Sequence, residues 1–124
     1  MQSPLNRVLG LGSAKEGTGH WSAQRLTAIG LVPLGLWFTI AVLGLPHGNY
    51  QQLIAWIAEP ANSILLILLV LTLVYHSALG LQVVIEDYVH GSLMVVVMVA
   101  VKFLHVLLAV AGIYAVIAVS VGAS

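Results

Sequence analysis

Residues 61–85 contain no Asp, Glu, Lys or Arg, and neither do residues 26–45. Residues 93–121 contain only one such residue, Lys102. A helix needs about 20 apolar residues to cross about 30 Å of hydrocarbon, so each run is long enough to span a bilayer. The whole chain is 6% charged, whereas a soluble domain has about 25% charged residues. Too few charges remain to cover a water-facing surface. The expected fold class is an all-α membrane protein with three transmembrane helices, forming one membrane-anchor domain over residues 1–124.

The segments between these runs set the organisation. Residues 1–20 are polar and glycine-rich (Gly10, Gly12, Gly17, Gly19) and carry Arg7, Lys15 and Glu16. They read as an extended N-terminal arm. Pro46-His47-Gly48-Asn49 ends the first span with turn chemistry. Over residues 50–59, Tyr50, Leu53, Ile54, Trp56 and Ile57 recur at helical spacing, which predicts a short helix at the membrane interface. Pro60 suits the first turn of the second span. At about 1.5 Å per residue the third span exceeds about 40 Å, longer than the hydrocarbon core. It tilts, or part of it protrudes into a partner or the headgroups.

Several classes are excluded. The chain has no cysteine, so disulfides and thiolate metal sites are ruled out, and histidine is left as the main metal-ligating side chain. Its net charge is zero, which gives no electrostatic case for nucleic acid. The apolar run after Arg7 is too short for a signal peptide, and no Arg-rich, acid-poor transit peptide is visible. A bacterial chain without processing is expected. Arg7, Lys15 and Arg25 precede the first span, and residues 46–60 carry no Lys or Arg. The positive-inside rule then predicts a cytoplasmic N-terminus. It also places Arg25 and Asp87-Tyr88 on the same face of the membrane.

His76 is the first candidate for chemistry, because an ionisable group inside a span is costly and marks a functional site by default. His76, Gly80, Val83 and Asp87 share one helix face. Gly80 lets a flat group approach the backbone beside the imidazole, which suits an axial haem ligand. The alternative is a histidine hydrogen-bonded across a helix bundle, and residue type alone leaves both open. Glu86-Asp87-Tyr88 ends the second span. A tyrosine hydroxyl there can donate to a quinone carbonyl, and an aspartate can hold the tyrosine or relay protons. Ordinary interfacial anchoring is the alternative. Arg25 can pair with an anionic haem propionate or a lipid phosphate, or simply snorkel beside Trp21. Lys102 and His105 lie in the third span. If that span crosses from Leu93, Lys102 is buried, and His105 reaches a depth comparable with His76. Two histidines of one chain would then compete for one haem. His20, His47 and His90 fall in arms or loops.

These residues together resemble a family. His76-x-x-x-Gly80 followed by Asp87-Tyr88 is similar to the second-helix signature of the small, D-type hydrophobic anchor subunit of succinate dehydrogenase, respiratory complex II. Ser13-Ala14-Lys15-Glu16-Gly17-Thr18-Gly19-His20-Trp21, then Gln24-Arg25-Leu26-Thr27-Ala28-Ile29, resembles the N-terminal pattern of alphaproteobacterial members. The likeness covers about residues 10 to 90. Lys102 and His105 stand outside it.

The resemblance implies that His76 is one axial ligand (metal: haem iron) of haem b, the other coming from the large cytochrome b anchor subunit. It implies Arg25 at the haem propionates, Gly80 beside the haem, and Tyr88 on a ubiquinone carbonyl with Asp87 next to it. The iron–sulfur subunit and the flavoprotein subunit would dock on the cytoplasmic face of the bacterial inner membrane. The expected function is a non-catalytic anchor of a succinate:quinone oxidoreductase. Its rivals are the anchor of a quinol:fumarate reductase and a small proton-coupled transporter using His76 and Asp87 without haem.

Overall fold

A computed structural model describes the backbone of residues 4–123 and the side chains of residues 19–122. The described residues form four helices and no strand: α1 Pro4–Leu43, α2 Tyr50–Ala58, α3 Pro60–Tyr88 and α4 Ser92–Ala123. Three segments are long and apolar enough to cross a membrane: Gly19–Leu43, Pro60–Tyr88 and Ser92–Gly122. The N-terminal segment departs from expectation. Instead of an extended arm, the chain is helical from Pro4 straight into the first span. Its glycines do not prevent this, since each lowers helix stability by only about 1 kcal/mol relative to alanine. No proline lies between Pro4 and Pro33 to stop the helix. Pro33 removes the hydrogen bond to the Ile29 carbonyl, yet α1 continues through it, as helices in membranes tolerate.

The corners follow local rules. Gly48 and Gly91 adopt φ of 80° and 73°, a left-handed conformation that glycine takes without steric penalty. The Asn49 side chain caps α2 by accepting from the Gln52 N–H at 3.0 Å, the usual N-cap bond. Pro60 restricts the residue before it, so Glu59 is extended and α2 cannot run on into α3. The carbonyls freed at the end of α2 are taken by α3: Asn62 Nδ2 donates to Trp56 O, and Ser63 Oγ donates to Ile57 O. Trp56 also stacks on Trp37 of α1, with ring centroids 5.7 Å apart.

Helix α3 is the centre of the layer. It packs antiparallel against α1 on one side and α4 on the other, while α1 and α4 make no close backbone approach among the described residues. Thr27 meets His76, a Cβ on Gly80 would lie 3.7 Å from Gln24, and one on Gly30 would lie 3.8 Å from Thr72. Ser77 meets His105, and Gly112 meets Val70. These contacts fix the register of both pairs.

Almost nothing is buried. Few residues of the three spans are enclosed by the chain itself: 0%, 11% and 6% of their most apolar windows are buried, and the rest are half-buried or exposed. Hydrophobic burial does not hold helices together in lipid, so packing and interhelical hydrogen bonds must do so. Close packing is tightest at Gly112, where an added Cβ would stand 3.1 Å from Val70 Cγ1. Gly112→Leu is expected to destabilise the α3–α4 pair by about 1–3 kcal/mol, the usual range for overpacking. Thermal unfolding in mild detergent checks this, and an unshifted transition would contradict the packing.

Candidate functional site

Two histidines sit inside the bundle, and their surroundings differ. His105 is buried, and both of its ring nitrogens are engaged. Its Nδ1 lies 2.8 Å from Val101 O, a carbonyl that can only accept. Nδ1 therefore carries the proton and donates. Nε2 then accepts from the Ser77 hydroxyl at 3.0 Å. This histidine is fully satisfied within the chain and ties α3 to α4. It is the histidine bonded across a bundle that the sequence left open as an alternative for His76.

His76 is half-buried, with its Nδ1 3.0 Å from Thr27 Oγ1. The Thr27 hydroxyl lies 2.8 Å from Ala23 O and 3.0 Å from Gln24 O, carbonyls of its own helix. With its one proton directed to Ala23 O, Thr27 is an acceptor toward the imidazole, and His76 Nδ1–H donates to it. That assignment leaves the His76 Nε2 lone pair free. Among the described residues Nε2 takes part in no hydrogen bond. A neutral imidazole with a donor Nδ1 and a bare Nε2 is the form that ligates a metal.

The remaining sequence candidates fall at different levels. Gly80 shares the His76 face, and the atom nearest a Cβ placed there is Nε2 of the Gln24 side chain, at 3.7 Å. An alanine Cβ at Gly80 would make ordinary contact with Gln24. Arg25 is exposed, and its guanidinium lies 5.0 Å from the centre of the Trp21 ring. The α1–α3 register sets Arg25 within a turn of His76's level. Asp87 and Tyr88 are exposed at the end of α3. Tyr88 lies twelve residues beyond His76, about 18 Å along the axis. Arg25 and Tyr88 thus occupy the same half of the layer at separate levels. No hydrogen bond joins Asp87 to Tyr88 among the described residues. Glu86 instead accepts from Gln82 Nε2 at 3.4 Å.

Sequence reasoning missed three features. Thr27 was noted only as part of a motif, although a hydroxyl facing a mid-span histidine is a usual interhelical partner. The sequence reading sets His20 in the arm, yet it lies on α1 one turn before Gln24, and the buried His20 Nε2 and Gln24 Oε1 have no hydrogen-bond partner among the described residues. Buried polar atoms without partners are rare and point to a missing neighbour. The third is a cleft of about 680 Å³ between α3 and α4, lined by Tyr75, Gln82, Lys102 and His105 among apolar side chains. Lys102 is exposed beside it.

Among the described residues, no three His, Cys, Asp or Glu side chains converge to hold a metal ion. An iron held wholly by this chain has no ligand set there. A macrocycle that brings its own equatorial nitrogens asks the protein only for an axial ligand, and among the described residues His76 Nε2 is a span imidazole nitrogen with no hydrogen bond.

Comparison with known proteins agrees with this architecture. Residues 1–119 match the family model described as succinate dehydrogenase/fumarate reductase transmembrane subunit. A succinate dehydrogenase hydrophobic membrane anchor subunit of Rickettsia bellii is 42% identical over 106 residues, 85% of each chain. Its counterpart in Paracoccus denitrificans is 32% identical over 90 residues, covering 73% of this chain and 70% of that one. A succinate dehydrogenase membrane anchor subunit of Reclinomonas americana is 35% identical over 81 residues, covering 63% and 68%. No solved structure gives a significant match.

Proposed function

The chain belongs to the succinate dehydrogenase/fumarate reductase transmembrane subunit family, and from that premise we propose that it is the small membrane anchor of a succinate:quinone oxidoreductase. In this role His76 is one axial ligand of a haem b, and Tyr88 is a hydrogen-bond donor to ubiquinone. The observation that carries the haem assignment is the contrast between the two buried-span histidines. His105 has both nitrogens committed, whereas His76 keeps Nε2 bare with Nδ1 occupied. When bound, the haem supplies a one-electron centre within the membrane layer.

The chain's own residues do the rest. Thr27 and the α1–α3 packing hold the His76 ring. Arg25, near His76's level, exposed and lying over the Trp21 ring, is available to a propionate through charge-assisted bonds. Tyr88, 80% exposed at the end of α3, offers its O–H to a quinone carbonyl. Asp87 stands beside it as an acceptor where protons arrive from water. A three-helix layer with at most 11% of a span window buried cannot enclose a macrocycle. The second axial ligand and the far wall belong to the large cytochrome b anchor subunit. The iron–sulfur and flavoprotein subunits dock at the Tyr88 end, which faces the cytoplasm of the bacterial inner membrane together with the N-terminus. The same scaffold serves a fumarate reductase, since the matched family spans both enzymes.

Purification through a tag on this chain in mild detergent tests the assignment. Co-purification of a covalent or tightly bound flavoprotein, an iron–sulfur protein and one other hydrophobic subunit is the expected result. A homo-oligomer without flavin would contradict it and favour the proton-coupled transporter.

A further inference from the structure

We propose that Thr27 is the positioning residue for the His76 ligand, fixing its tautomer and ring plane and holding down the reduction potential of the bound iron. The role rests on the haem assignment above. It is argued from three contacts of one hydroxyl: Ala23 O at 2.8 Å, Gln24 O at 3.0 Å and His76 Nδ1 at 3.0 Å.

A threonine hydroxyl has one proton and two lone pairs. In a helix it donates back to the carbonyl four residues earlier, and the shortest of the three contacts is that bond. Its lone pairs then face the imidazole across the helix pair. A neutral imidazole has one N–H, and this acceptor draws it to Nδ1. The opposite tautomer would require the Thr27 hydroxyl to turn its proton from Ala23 O at 2.8 Å to His76 Nδ1 at 3.0 Å, giving up the shorter bond, and would leave a proton on Nε2, which then could not ligate. Thr27 thus selects the ligating form before any iron arrives.

The bond also acts on the bound metal. A hydrogen bond from the non-ligating N–H makes an imidazole ligand more basic. A more basic ligand favours ferric over ferrous iron and lowers the potential, as hydrogen bonding around haem ligands does in general. Because Thr27 sits on α1 and His76 on α3, the same bond fixes the ring plane to a second helix rather than to the ligand's own.

The test uses the complete complex purified from membranes, with Thr27→Val, Thr27→Ser and His76→Ala variants. Redox titration of the b-type band and the highest g value of the oxidised haem are read for each. Thr27→Val keeps the shape and removes the hydroxyl. It is expected to raise the midpoint potential by up to about tenfold in the reduced-to-oxidised ratio, which is 59 mV for a one-electron couple, and to shift the g value. Thr27→Ser restores both. An unchanged potential and g value in Thr27→Val would overturn the role. If Thr27→Val loses the haem altogether, Thr27→Ser decides. Haem retained at the wild-type potential supports the hydroxyl, and haem lost there too shows that only the methyl packing mattered. A His76→Ala spectrum identical to wild type would instead remove the ligand assignment on which this role depends.

Discussion

Replacing His76 by alanine is expected to change the b-type spectrum of the complex, and replacing His105 by alanine is expected to leave it unchanged. His76 is the residue proposed to hold the iron, so without it a bound haem would open to carbon monoxide, or its content per flavin would fall by more than the roughly 10–100-fold in affinity associated with losing even an outer-shell partner. His105→Ala strips a donor from Val101 O and an acceptor from Ser77 Oγ. Its effect is on stability, about 1–3 kcal/mol for buried groups left unpaired and closer to about 0.6 kcal/mol if the usual value for interhelical bonds in membranes holds. Reduced-minus-oxidised spectra with and without carbon monoxide, followed by thermal unfolding, separate the two variants. The reverse pattern would make His105 the ligand. Quinone reduction is a poor readout for this pair, because electron flow that bypasses the haem would leave activity intact.

Tyr88→Phe is expected to lower quinone reduction about ten- to a hundredfold while haem content and subunit composition stay as in wild type. The phenyl ring keeps the interfacial anchor, and only the donor to the quinone carbonyl is lost. An unpaired polar group costs about 1–3 kcal/mol, and about 1.4 kcal/mol corresponds to tenfold in rate. Tyr88 is 80% exposed and makes no interhelical bond among the described residues, so the substitution should not disturb the helix layer. Succinate-driven reduction of a short-chain ubiquinone measures the first quantity, and succinate oxidation by an artificial acceptor serves as the control. If both assays match wild type, Tyr88 is not at the quinone.

The helices were legible in the sequence because their signal is one-dimensional. Uncharged runs of sufficient length give the spans, Pro60 gives the start of α3, and Asn49 with Gly48 gives the turn into α2. The N-terminal segment was misread as extended because glycines weaken a helix without forbidding it, and their effect is settled by the helix they continue into. What was hidden is registry between helices. Nothing in one sequence says that Ser77 meets His105, so His105 stood as a competitor to His76 on residue type and depth. Once the helices are paired, one is satisfied and the other has a spare nitrogen. The same register keeps Arg25 and Tyr88 in one half of the layer but sets them at different levels, a distinction that charge counting does not make. It also sets the Gln24 side chain beside Gly80, a neighbour that spacing alone does not give. Thr27 was visible as a small polar residue within an apolar run, but its target on α3 was not.

The proposed anchor role requires that His76 helps hold a haem. The most direct measurement is the dithionite-reduced minus oxidised spectrum of the wild-type complex purified through this chain, with haem and flavin quantified on the same sample. The expected result is a b-type α band with one haem per flavin. A complex that contains the flavoprotein and full-length chain but shows no b-type band would contradict it.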